Sequence, residues 1–286
     1  NIYIFLWPGD ILVTYALSSF VLWFIRNWKA RNLLILATFL ILIGSLQNFA
    51  LKSSLEIARD AAEGMKISIS KGEEVSEETA TWAQVWIEHE NGYQVERDNI
   101  PNEIKNKTSS YASAYEYNLE KANETIYFFI PFFLFLDALM MMVVGMALFK
   151  LGILDGGREI GFYIKMMCIG FLIGLSINTY EVLLMTNSNM GIIETNGYLR
   201  FTYHFGRLFI ALGYLGLIIV LIKLRKFSSL KFRLACVGRM ALTNYLMHSV
   251  IALFIFSGAG LGLLGKFSWS QLYLVVALIW ALQLYI

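Results

Sequence analysis

Long apolar runs divide this chain, and their length constrains it more than any other feature. Ile11–Phe24, Asn32–Lys52, Thr125–Lys150, Ile160–Met185, Phe201–Leu224 and Val237–Phe256 are such runs, and a seventh starts at Ser270. Most of them match the ~20 helical residues, at ~1.5 Å each, that cross a ~30 Å hydrocarbon core. Lipid offers no partner to a backbone N–H or C=O, so a crossing segment of this kind is helical. The expected fold is therefore all-α, a polytopic membrane helix bundle with about seven transmembrane segments. Composition agrees, with 57% hydrophobic and 15% charged residues against about 25% charged in ordinary globular chains.

Charge divides the chain differently. Residues 53–125 hold 15 acidic and 7 basic side chains, while the remainder is strongly basic. Three regions are expected: membrane helices over 1–52, an acidic, mainly helical cap over 53–125, and membrane helices over 126–286. Within the cap, Trp82, Val85 and Trp86 suggest a small apolar patch that packs on something. Short loops rich in Lys and Arg stay cytoplasmic. The loops with Arg26, Lys29 and Arg31, with Lys150, Arg158 and Lys165, and with Lys223–Arg233 alternate as cytoplasmic. That alternation puts the cap outside, in a multi-pass membrane protein. At the N-terminal end, residues 1–7 read as the end of a helix, Pro8-Gly9 as a turn and Asp10 as the cap of the next helix.

Charged and titratable groups inside membrane segments are costly, and they usually face a bundle interior or a wet cavity. Val237–Phe256, read as one span, carries Arg239, Thr243, Asn244 and His248. Asp137 lies in the third run, Glu181 near the end of the fourth, and His204 and Arg207 one turn apart at the start of the fifth. The topology places Asp10, Glu181, His204, Arg207 and His248 toward the outer face, with Asp137 and Asn244 nearer mid-membrane. As plain packing groups, His204 would pair with Glu181 and Arg239 with Asp137. As a site, they would line an outward-opening polar cavity roofed by the cap. Gly145 and Ala147 would let helices approach closely. Cys168 and Cys236 read as buried thiols, and no spacing fits a metal.

Three stretches resemble the YeiB-like family of uncharacterised bacterial inner-membrane proteins, domain of unknown function family 418. They are Gly9-Asp10-Ile11-Leu12 with Tyr15-Ala16, Met142-Val143-Val144-Gly145-Met146-Ala147-Leu148 with Gly152, and Gly238-Arg239-Met240-Ala241-Leu242-Thr243-Asn244-Tyr245-Leu246. The resemblance implies that the chain lacks that family's N- and C-terminal ends, and that His248 stands where glutamine is expected. It also implies distant kinship with multi-spanning membrane acyltransferases, including lysosomal heparan-glucosaminide acetyltransferase.

Three functions follow. An acyltransferase would take acyl-CoA from the cytoplasmic side and an envelope glycan or lipid as acceptor. His204 or His248 would remove the acceptor proton, Asp10 or Glu181 would orient the histidine, and Arg207 or Asn244 would stabilise the oxyanion. Arg239, Thr243 and Asp137 would complete the substrate site. A transporter or flippase would use Asp137, Glu181 and Arg239 as binding or relay groups, with helices broken at the midplane. A non-enzymatic subunit of an envelope complex would pair each polar group privately. The lipid bilayer is the expected partner, and nothing points to nucleic acid.

Overall fold

The computed structural model describes residues 10–188, 191–196, 199–224 and 228–285. The helix end expected over 1–7, the turn at Pro8-Gly9, and Arg225 and Lys226 of the basic stretch lie outside the described residues. Among the described residues every regular element is helical. In chain order these are α1 (Leu12–Ile25), α2 (Ala30–Lys71), α3 (Glu77–Asp98), α4 (Ile100–Ser109) and α5 (Tyr111–Glu124). A π-helical segment (Thr125–Leu134) leads into α6 (Phe135–Lys150), then α7 (Ile160–Asn187) and the short α8 (Ile192–Thr195). The chain continues through α9 (Tyr203–Lys223), α10 (Ser228–Arg239), α11 (Ala241–Phe256) and α12 (Trp269–Tyr285). Two compact units result. One comprises residues 18–97 and 136–223, the other residues up to 17, 98–135 and from 224 on.

Among the described residues three helices, α2, α7 and α9, are long and apolar enough to cross a membrane, or up to five spans if each of two bent helix pairs is counted as one. Two shorter apolar helices accompany them, α1 with 14 residues and α12 with 17. Large apolar side chains such as Leu172, Tyr214 and Leu221 are exposed on these helices. In water that surface would aggregate, whereas in lipid it is solvated. The chain is an all-α, multi-pass membrane protein.

In the first unit α2 does not stop at Lys52 but runs 42 residues without interruption, ~63 Å, about twice the hydrocarbon thickness. Its distal half enters the acidic segment 53–125. There Ala58 and Ala62 pack with Ala83 and Trp86 of α3 and with Ile193 and Leu199. Trp86 and half-buried Trp82 form the apolar patch, while Val85 points outward, 43% exposed.

The α7–α9 pair is held at backbone contact by small residues. A Cβ on Gly170 would lie 2.5 Å from the Gly213 nitrogen, and one on Gly216 would lie 2.7 Å from the Tyr163 carbonyl oxygen. Lipid supplies no hydrophobic drive between helices, so close backbone packing carries the association. This stripe does the work expected of Gly145, where an added Cβ would meet nothing within 4 Å. Cys168 is exposed on α7 and Cys236 is half-buried, which corrects the expectation of buried thiols. A lipid-facing surface is as apolar as a core, so hydrophobicity alone does not separate the two.

In the second unit the stretch Val237–Phe256 is not one span. α10 ends at Arg239, α11 begins at Ala241, and the two are bent by 79°. A break leaves carbonyls without their helical donors. The Asn244 side chain donates Nδ2–H to the Val237 carbonyl at 3.0 Å, beside the Met240 amide that donates to the same oxygen at 3.1 Å. The polar residues that mark this stretch in the sequence thus belong to a corner between two helices.

Candidate functional site

Three of the nine nominated residues come together in the first unit. The Asp137 carboxylate, on the first turn of α6, accepts two hydrogen bonds from Arg207 of α9, Nη1 to Oδ2 at 2.6 Å and Nη2 to Oδ1 at 2.5 Å. This is the planar two-point match that guanidinium offers a carboxylate. Tyr203, one turn before Arg207, lies under the guanidinium, whose carbon is 5.0 Å from the ring centroid. His204 is buried on the same turn of α9, with Nδ1 3.6 Å from Asp137 Oδ1, beyond hydrogen-bond length.

The other imidazole nitrogen meets α2. Asn48 Nδ2 lies 3.3 Å from His204 Nε2 and 3.3 Å from the Arg200 carbonyl oxygen. A carbonyl can only accept, so the Asn48 amide presents its NH2 group to both partners. His204 Nε2 is then an acceptor, and the neutral ring carries its proton on Nδ1, facing Asp137. Gly44, one turn before Asn48, backs the ring so closely that a Cβ there would lie 2.9 Å from Nε2. Met140 of α6 closes the same space, its Cε 3.0 Å from that position.

Glu181 is buried on α7 and belongs to a neighbouring ionic group. It accepts from Arg200 Nη1 at 3.1 Å and from the Thr202 hydroxyl at 2.5 Å. Arg200 also donates to the Glu194 carbonyl at 2.7 Å, and the Glu194 side chain reaches Arg59 of α2 at 3.2 Å. The simple pairings of His204 with Glu181 and Arg239 with Asp137 are therefore corrected. Each carboxylate takes the arginine within reach, because a fully charged fork binds it more strongly than a neutral imidazole at low dielectric.

Helix geometry sets the level of this cluster. Asn48 is 18 residues from the start of α2 and His204 is 19 residues from the end of α9, ~27 Å and ~28 Å along each axis. The ends they lie far from carry Lys29, Arg31 and Lys223. The cluster thus lies far along α2 and α9 from the ends that carry the basic residues.

The remaining candidates lie in the second unit and do not form a catalytic group. Asp10 accepts from the Leu12 amide at 3.0 Å and from the Tyr245 hydroxyl at 2.6 Å, tying the start of α1 to α11. His248 is exposed, 3.0 Å from Gln283 Oε1 of α12, and Gln283 donates in turn to the Asn244 carbonyl at 3.4 Å. Arg239 and Thr243 are exposed. Sequence reasoning passed over Asn48, Arg200 and Thr202. Asn48 was findable, with Gln47 beside it, as an amide near one end of an otherwise apolar run. Among the described residues no group of three or more His, Cys, Asp or Glu could hold a metal ion.

Chemically, the cluster offers a tautomer-fixed imidazole, a carboxylate beside its N–H, and a guanidinium that holds the carboxylate in place. Arg207 is committed to Asp137 through both Nη atoms, which leaves it poorly placed to stabilise an oxyanion.

Comparison with known proteins supplies kinship. Uncharacterized protein YxaH of Bacillus subtilis (strain 168) is 27% identical over 263 residues, covering 91% of this chain and 56% of that protein. The chain spans about half the length of the curated relative it matches. No solved structure matches it. Residues 148–286, from the end of α6 through α12, match the family described as "Protein of unknown function (DUF418)".

Proposed function

We propose that this integral membrane protein is an acyltransferase working at the extracytoplasmic membrane margin, with His204 as general base. The observation that carries the reading is the ordered series His204 Nδ1–H, Asp137 carboxylate, Arg207 guanidinium. A base oriented by a carboxylate that is itself held in place is the arrangement nucleophile activation requires. An acceptor hydroxyl or amine of an envelope glycan or lipid would displace Asn48 from Nε2 and give up its proton there. Its oxygen or nitrogen would attack the acyl thioester carbonyl, and the thiol would leave as the new ester or amide forms. Asp137 would stabilise the imidazolium, a contribution of ~10²–10⁴ in rate for a positioned base. The 3.6 Å gap to Asp137 fits a ring that tightens on its carboxylate only when charged.

A second reading is transport of a small molecule or lipid-linked precursor. The 79° break between α10 and α11 favours it, because discontinuous helices expose backbone groups that bind substrates within membranes.

The test uses the full-length protein in detergent with acetyl-CoA and longer acyl-CoAs, comparing wild type with His204→Ala and His204→Gln. Saturating ligand stabilises by roughly 2–4 kcal/mol at ligand concentrations of ~100–1,000 Kd. Acyl-CoA stabilisation, with acceptor acylation lost in both variants, supports the transferase. No stabilisation by any acyl-CoA overturns it.

A further inference from the structure

The basic end of α2 carries a shallow, open groove that no part of the transferase reading uses. Trp28, Asn32, Ile35, Leu36 and Phe39, spaced along one face of the chain at the start of α2, form it, and its surface is mostly apolar. From Trp28 to Phe39 is eleven residues, ~16 Å of helix, which is the depth of one leaflet of a ~30 Å core. Beside its first residues in sequence stand Arg26, Lys29 and Arg31, all exposed and, among the described residues, without an ion-pair partner. Arg26 stacks on Trp23, its guanidinium carbon 4.5 Å from the ring centroid. Trp23 and Trp28 are exposed, as tryptophans at the headgroup level are.

We propose that this groove is a binding site for one anionic phospholipid. The headgroup phosphate sits among Arg26, Lys29 and Arg31, the Asn32 amide meets the glycerol-ester region, and an acyl chain lies along Ile35, Leu36 and Phe39. Length and charge select this occupant together. A partner helix would fill the apolar stripe but has no need of a cationic rim. A soluble anion would meet the rim but not a leaflet-deep apolar groove. Neutral phospholipid would bring the chain without the net charge.

The test uses the purified full chain in a neutral detergent. Thermal unfolding is titrated with dioleoyl phosphatidylglycerol and, separately, with dioleoyl phosphatidylcholine of the same chains. The expected result is saturable stabilisation by the anionic lipid alone. The triple variant Arg26→Gln/Lys29→Gln/Arg31→Gln should bind it ~100-fold more weakly, about fivefold for each charge removed. Ile35→Trp fills the groove with every charge intact and should weaken binding at least ~10-fold. Lys150→Gln/Lys165→Gln removes basic charge elsewhere and should leave binding as in wild type. Equal response to both lipids, wild-type binding by the triple variant, or equal loss in the Lys150/Lys165 control overturns the proposal. If the triple variant does not elute as a single folded species, Ile35→Trp against that control decides alone.

Discussion

Replacing one partner of the Asp137–Arg207 pair should cost more than replacing both. The pair makes two charge-assisted hydrogen bonds, at 2.5 and 2.6 Å, and its side chains are 23% and 31% exposed. Breaking a fully buried pair from one side costs ~3–5 kcal/mol, mostly from the charge left behind. Partial exposure moves both singles toward the low end, so Arg207→Met should cost ~2–3 kcal/mol and Asp137→Asn ~2 kcal/mol. The double variant leaves no stranded charge and should lose only ~1 kcal/mol, the net worth of the hydrogen bonds. The coupling is then ~3 kcal/mol, against the ~0.3–0.5 kcal/mol scatter of independent sites. Reversible unfolding in mixed micelles, for wild type and the three variants, measures it. If the two single losses simply add in the double variant, the pair does not exist as drawn, and the orientation of His204 loses its support.

Gly170→Ala should destabilise the α7–α9 pair by ~2 kcal/mol or more, because its new carbon meets the Gly213 backbone, which cannot give way. Gly145→Ala, with open space around it, should be neutral or slightly stabilising through helix propensity in the same unfolding assay. Trp86→Ala should cost ~3 kcal/mol and loosen the cap, read as faster tryptic cleavage after Lys71 with the membrane helices intact. Burial alone would raise the Glu103 carboxyl, but the Lys107 ammonium 2.6 Å away outweighs it and holds the group below its ordinary value of 4.5. A folded-state value below the unfolded one means stability that is present above pH 4.5 and lost as pH falls through the folded value. Glu103→Gln should therefore flatten the acid limb of the stability–pH curve.

Helicity and membrane character were legible in the sequence because each rests on local pattern, the length of an apolar run setting helix and crossing. The polar cluster was half legible. Burial cost alone nominates Asp137, Glu181, His204 and Arg207. Which residue pairs with which depends on how each helix is rotated about its axis, and a helix that is apolar all round carries no signal for that rotation. Arg200 therefore took the place expected of His204 as partner of Glu181. The break at Met240 was illegible for a related reason. Neither proline nor a polar run interrupts Val237–Phe256, and the residue that makes the corner tolerable, Asn244, looks in sequence like a substrate ligand.

One lone pair connects the two roles open to His204. Nε2 accepts from Asn48, and through it α9 is fastened to α2. A proton on Nε2 would set two donors against each other. Turning the Asn48 amide would not help, since Oδ1 would then face the Arg200 carbonyl. Accepting a substrate proton and clasping α2 are thus mutually exclusive uses of one atom. Asn48→Ala separates them. It removes the clasp, at a cost of ~1 kcal/mol for a neutral hydrogen bond, and leaves Nε2 open. If His204 is the base, this variant is less stable yet transfers acyl groups at least as fast as wild type. If His204 only fastens helices, Asn48→Ala and His204→Ala lose the same stability and neither changes transfer, so that activity and melting measured on the one pair of variants give opposite patterns for the two roles.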